Sequence, residues 1–120
     1  MRDYQKLEVW KKAHLFTLQV YKEILPIMPI EERFALTQQI RRATYSIPLN
    51  IVEGSGKHTD KDFTHYLDNA LGSTKEVEYA LILIFDLGYI TKETYLIVNK
   101  SVNEIKAMLI AFIKFLRNGS

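Results

Sequence analysis

Between Tyr95 and Leu116 the apolar residues Tyr95, Val98, Val102, Ile105, Leu109, Phe112 and Leu116 step 3, 4, 3, 4, 3, 4 along the chain. On a helix of about 3.6 residues per turn this stripe drifts slowly around the axis. Only neighbours crossing at a shallow angle can bury it over its whole length, as in helical bundles. Phe63, Leu67, Ala70, Thr74, Val77, Leu81 and Ile84 carry the same pattern earlier in the chain. Phe34, Thr37, Ile40, Thr44, Ile47 and Ile51 form a third stripe. Leu7, Trp10, His14, Leu18, Tyr21 and Leu25 form a fourth, with Val9, Ala13, Phe16, Val20 and Ile24 beside it. Four amphipathic helices follow, and no segment shows the alternation of a strand.

Helix signals set the boundaries. The first helix runs from about Glu8 to Leu25 and ends at Pro26 and Pro29, which cannot continue a helix interior cheaply. The second starts near Ile30, with Glu31 and Glu32 in a first turn that suits acids. Pro48 lies within it and predicts a kink rather than a stop. It ends over Glu53–Gly56, where Gly54 and Gly56 are expected to take left-handed conformations. The third begins near Asp60 as N-cap; Gly72 inside it is expected to mark close approach of two helices, and Gly88 closes it. The fourth begins near Thr91, and the tail Asn118–Ser120 is expected to fray. The reading is an all-α, antiparallel up-down four-helix bundle with helix two kinked near Pro48, forming a single domain over residues 1–120.

Composition closes off several chemistries. With no cysteine there is no disulfide scaffold, thiol catalysis, iron–sulfur cluster or Cys-based zinc site. The longest fully apolar run is Ala80–Phe85, far short of the roughly 20 residues a membrane span needs. The N-terminal stretch MRDYQKLEVWKKAH is charged throughout and lacks the apolar core of a secretory signal. A soluble, cytoplasmic protein without a membrane partner is expected. The first and fourth helices exceed the roughly three apolar positions in seven that one core requires: Ile97, Met108 and Phe115 flank the main stripe and Ile110 lies nearly opposite it. That surplus predicts a subunit interface and a homo-oligomer.

Candidate chemistry is sparse. Glu53–Thr59, EGSGKHT, lacks the first glycine of a phosphate loop, has His58 where Ser or Thr is needed, and follows no strand. It reads as a helix end and loop. His58, Asp62 and His65 stand at steps of four and three, a spacing common by chance, and no metal site is assigned to them. His14 on an apolar stripe reads as a partly buried, satisfied histidine. Ser46, Asn50 and Glu53 in the second helix, and Ser73 and Glu76 in the third, lie close to the apolar seams. No nucleophile motif accompanies them, so no catalytic residue and no cofactor is assigned. They predict an inter-helix hydrogen-bond network.

Charge is uneven although the whole balances at 16 basic against 14 acidic residues. The stretch from His58 to Glu93 holds three basic and seven acidic residues, whereas Arg33–Lys57 and Thr94–Ser120 each hold four basic and one acidic. One explanation is complementary electrostatics inside the bundle or between subunits. The other is a basic face for nucleic-acid phosphates, with Lys11, Lys12, Arg41, Arg42, Lys57 and Lys114 as candidates, multiplied by avidity if copies form a ring.

The run QIRRATYSIPLNIVEG at Gln39–Gly54 resembles the signature of the four-helix-bundle family encoded in bacterial ribosomal-RNA (23S) intervening sequences. The matching positions are Gln39, Ile40, Arg42, Ala43, Ser46, Ile47, Asn50, Ile51, Glu53 and Gly54. LEVWKKAHLF at Leu7–Phe16 is similar to the family's first helix, and ALGSTKEVEYAL at Ala70–Leu81 to its third. With the GYITKE turn at Gly88–Glu93 the resemblance spans nearly the whole chain; Val52 departs from it, where Ala is more usual. The resemblance implies a compact bundle that assembles as a homo-oligomer, a pentamer. It also implies kinship with the accessory variability protein of diversity-generating retroelements, a basic pentameric barrel that binds nucleic acid and a reverse transcriptase. The expectation is a non-enzymatic oligomeric bundle that binds nucleic acid, structured RNA rather than DNA, through Lys11, Lys12, Arg41, Arg42 and Lys57. The alternative is an oligomeric protein-interaction scaffold with no nucleic-acid role.

Overall fold

The four apolar seams become four helices in the computed structural model, which describes residues 1–119. They are α1 (Glu8–Gln19), α2 (Leu36–Ser55), α3 (Asp60–Asp86) and α4 (Lys92–Arg117), and no strand occurs among the described residues. Short connections reverse the chain between α2 and α3 and between α3 and α4, so neighbours run antiparallel. Cross-helix pairs show the same sense: Ser46 meets Ser73 while Gln39 meets Glu76, and Lys106 meets Glu78 while Arg117 meets Asp68. α2 packs most extensively on α3 and α3 on α4; α1 closes the ring against α2 and α4 over a smaller area. The result is an up-down four-helix bundle of 45 × 24 × 20 Å.

The seams predicted from sequence form the core. Ile40, Ile47 and Ile51 of α2, Leu67, Val77, Leu81 and Ile84 of α3, and Val98, Ile105 and Leu109 of α4 are fully buried. In α1 the secondary stripe points inward: Val9, Ala13 and Phe16, continued by Val20 and Ile24, are buried, whereas Leu18 and Tyr21 of the first-chosen stripe are exposed. Phe63 meets Phe112 edge-to-face at 5.5 Å near one end of the bundle, and Phe85 stacks on Tyr95 at 4.7 Å near the other.

The helix ends differ from expectation in instructive ways. After Gln19 the first helix continues as a wider π turn, Val20–Ile24, where the Leu25 N–H reaches the Val20 carbonyl just ahead of Pro26. The second helix does not start at Ile30. A single 3-10 turn occupies Ile30–Glu32, and Ala35 (φ −124°, ψ −102°) separates it from α2. That turn is tied down from outside, because the Tyr89 hydroxyl donates to Glu32 Oε2 at 3.0 Å. The carboxylate's acceptance of this bond, with burial and the charges of Glu32 and Glu31, raises the Tyr89 pKa. Phe34, counted on the second helix's stripe, is left 80% exposed. The N-cap of α3 is Thr59 rather than Asp60: its hydroxyl accepts from the Asp62 N–H at 3.1 Å. Thr91 caps α4 in the same way through the Thr94 N–H.

Pro48 is buried inside α2, and the helix continues through it. The glycines exchange roles. Neither Gly54 nor Gly56 is left-handed; positive φ occurs at Gly88 (+80°) and Gly119 (+68°). Gly54 is where two helices approach closely, since a Cβ there would lie 2.7 Å from Tyr66 Cβ and 2.8 Å from Phe63 Cδ1. Around Gly72 the space is open. At the C-terminus Asn118 caps α4, and Ser120, part of the predicted frayed tail, lies outside the described residues.

Candidate nucleic-acid interface

The uneven charge of the sequence is largely settled inside the bundle. Three acids of α3 are paired: Asp60 with Arg2 at 2.8 Å, Glu78 with Lys106 at 2.7 Å, and Asp68 with Arg117. Glu104 of α4 takes Lys12 of α1, whose hydrogen bond holds the Glu104 carboxyl below its ordinary range against a smaller opposing effect of desolvation. Complementary electrostatics therefore accounts for Lys12, and Lys11 is paired within its own helix to Glu8 at 2.8 Å.

Arg41 and Arg42 of α2 are different. Both are exposed, and neither forms an ion pair among the described residues. Lys57 sits beyond the far end of α2, about 20 Å along the axis from Arg42, with its ammonium 5.1 Å from the Tyr66 ring centroid. Lys114 is exposed and has no ion-pair partner among the described residues. The predicted basic residues thus do not form one continuous patch on a single chain. The α2 pair stands apart from Lys11 and Lys12 on α1, and from Lys57 in the loop.

Beside Arg42 lies the predicted polar set, rearranged. Ser46 Oγ and Ser73 Oγ are 2.6 Å apart across the α2–α3 contact. Asn50 Nδ2 donates to the Ser46 carbonyl at 2.8 Å and lies 3.5 Å from its hydroxyl. Glu76 Oε2 accepts from Gln39 Nε2 at 2.7 Å. Glu53, predicted to belong here, is exposed, and its carboxylate has no partner among the described residues. The antiparallel register explains this: Ser73 faces Ser46, and Glu53 lies seven residues, about 10 Å, further along α2. Gln39 takes the place of Glu53. Its signal was present in the sequence, since Gln39 and Ser46 are seven residues apart and share a helix face.

Gln39, Arg42, Tyr45, Ser46, Asn50, Ser73 and Glu76 line one open depression of about 370 Å³. The other sequence candidates do not converge. No group of three or more His, Asp or Glu close enough to share a metal ion occurs among the described residues, and His58, Asp62 and His65 form no such set. His14 is exposed rather than partly buried, and stacks on Trp10 at 5.1 Å with the planes 4° apart. Glu53–Thr59 is the end of α2, a loop and the cap of α3. No helix among the described residues is long and apolar enough to cross a membrane.

A family model described as 23S rRNA-intervening sequence protein matches residues 5–111. Among solved structures, the chain is similar to a crystal structure of a protein of unknown function from the S23 ribosomal protein family of Bacteroides thetaiotaomicron. The two are 33% identical, with a TM-score of 0.82, covering 88% of this chain and 98% of that one. No curated protein matches the sequence significantly.

Proposed function

This chain belongs to the 23S rRNA-intervening sequence protein family, and we propose that it is a non-enzymatic, cytoplasmic homo-oligomer that binds structured RNA through phosphate contacts made by α2. One observation carries the reading. The acids of α3 are largely matched by cations of α4 and the N-terminus, while Arg41 and Arg42 remain exposed and unmatched. Two adjacent free guanidiniums suit phosphate oxygens, which they bind in a bidentate manner. Lys57 and Lys114 extend the basic surface once copies assemble, and Lys11 and Lys12 contribute less because each already has a carboxylate partner.

Self-association is supported by where the apolar surplus lies. Leu15, Leu18 and Tyr21 of the first helical segment and Leu96, Ile97, Ile110 and Phe115 of α4 are all exposed. These side chains lie on helices other than α2, so burying them between copies, a pentamer in this proposal, leaves the arginines free. Each copy then adds its weak phosphate contacts to those of its neighbours.

A second reading, a protein-interaction scaffold without RNA, draws on the connection between α1 and α2. There Ile30 and Phe34 are 70% and 80% exposed, more than an ordinary loop presents.

The test is a titration of the purified protein, sized by light scattering in the same buffer, against a labelled structured RNA at two salt concentrations. Binding should weaken steeply with salt. The double substitution Arg41→Ala, Arg42→Ala should lower the slope of log affinity against log salt by about one unit per arginine. An intact oligomer that fails to bind at low salt would sink the RNA reading and leave the scaffold.

A further inference from the structure

The depression beside Arg42 has a hydrogen-bonding character that the phosphate reading does not use. Its amide N–H groups are spent: Gln39 Nε2 donates to Glu76, and Asn50 Nδ2 donates to the Ser46 carbonyl. What remains is rich in acceptors. Gln39 Oε1, Asn50 Oδ1 and Glu76 Oε1 have no partner among the described residues, and a carboxylate accepts through both oxygens. The unpaired Arg42 guanidinium supplies donors at the same rim. Tyr45, 40% exposed, adds an aromatic face. The volume of about 370 Å³ suits a flat heterocycle better than a bulky side chain.

We infer that this depression between α2 and α3 receives one unpaired guanine of an RNA loop. Its Watson–Crick edge would lie on Glu76, and Arg42 would reach its O6 or N7. The inference rests on the RNA reading above. Guanine follows from matching donors to acceptors. It alone among the four bases presents two adjacent donors, N1–H and the N2 amino group, which fit the two oxygens of one carboxylate. Adenine offers one amino donor beside an acceptor, cytosine likewise, and uracil a single N–H between two carbonyls. Arg pairing with guanine O6 and N7 is a geometrically matched contact wherever both edges are accessible. Bases splayed from loops are commonly held this way, stacked on an aromatic ring and read along one edge. The Ser46–Ser73 bond and the Gln39–Glu76 bond fix the floor and the carboxylate before any ligand arrives.

The experiment compares a labelled RNA hairpin carrying one unpaired loop guanine with the same hairpin carrying adenine or inosine there. The guanine hairpin should bind about tenfold more tightly than the adenine one, the size of one lost bidentate contact. Inosine, which keeps N1–H and lacks the 2-amino group, should fall between them. Glu76→Gln should bring the guanine-to-adenine ratio to within about twofold while melting like the parent protein, since the amide keeps a partner in Gln39. Equal binding of the guanine and adenine hairpins, with a steep salt dependence, would overturn the base pocket and leave the phosphate reading standing. If no hairpin binds at low salt, the phosphate reading fails, and free GMP against AMP then decides the pocket alone. Amide shifts at Gln39, Ser46 and Ser73 with GMP and not with AMP would support it, and their absence would overturn it.

Discussion

One substitution, glycine to alanine, should have opposite signs at two positions in this protein. Gly54 and Gly72 both lie inside helices with ordinary helical backbone. Alanine at either position gains about 1 kcal/mol of helix propensity. At Gly72 nothing lies within 4 Å of the new methyl, so the whole gain should appear as stability. At Gly54 the methyl would meet Tyr66 Cβ at 2.7 Å and Phe63 Cδ1 at 2.8 Å. Tyr66 Cβ is fixed to the α3 backbone and cannot swing away, so α2 and α3 must move apart along their most extensive contact. Overpacking of this kind costs about 1–3 kcal/mol, with the upper part of that range expected against a backbone-anchored atom. The net result is a loss of about 1–2 kcal/mol at Gly54 against a gain of about 1 kcal/mol at Gly72. For a chain of 120 residues, each kcal/mol moves the melting midpoint by about 3–5 °C. Gly72→Ala should melt about 3–5 °C higher and Gly54→Ala about 3–10 °C lower, read by circular dichroism at 222 nm under identical buffers. A Gly54→Ala protein that melts higher than its parent would refute the close approach of α2 and α3 at this point.

Glu53→Ala should leave the melting midpoint within the scatter of surface substitutions, about 0.5 kcal/mol, because its carboxylate touches nothing. Ser46→Ala, which breaks the 2.6 Å bond to Ser73, should cost about 1 kcal/mol. The reverse order in thermal melts would contradict the register given for α2 and α3. Thr44 is fully buried and its hydroxyl has no partner among the described residues, so Thr44→Val should stabilise the protein by about 1 kcal/mol in urea unfolding. The Lys12–Glu104 pair should be sensitive to acid. The Glu104 carboxyl is held below its unfolded value, so its contribution is complete above the ordinary glutamate range, near about pH 4.3, and disappears as pH falls through the lowered value. The melting difference between the parent and Glu104→Gln should therefore be open at pH 7 and closed at pH 3; a gap that widens on acidification would rule the pairing out.

The number and direction of the helices could be read from the residues because burial imposes a period on them. The seam at Tyr95–Leu116 can be hidden only by other helices, and three further seams supply them. The polar set was legible in part. Ser46, Asn50, Ser73 and Glu76 do cluster, because positions spaced by three, four and seven share a helix face whatever lies opposite. Glu53 satisfied the same spacing and failed, because spacing within one helix carries no information on how far its partner has slid along it.

The helix ends show the same division. Thr91 and Gly88 act locally, through a hydroxyl on a nearby N–H and a positive φ, and both were placed from sequence. The start of α2 depends on Tyr89, 57 residues away, which pins Glu32 and holds the Ile30–Glu32 turn outside the helix. The basic residues divide likewise. Lys12 and Arg42 look alike in the chain, yet one is held by Glu104 and the other is free. The amino-acid sequence by itself determined that this protein is an antiparallel bundle of four helices, since the hydrophobic period acts over a few residues and is written in order. Only the tertiary structure decided the register of α2 on α3, which of two glycines lies between helices, which cations remain free, and that a base-sized hollow opens beside one of them. Those depend on distances between residues far apart in the chain, which are fixed when the helices pack.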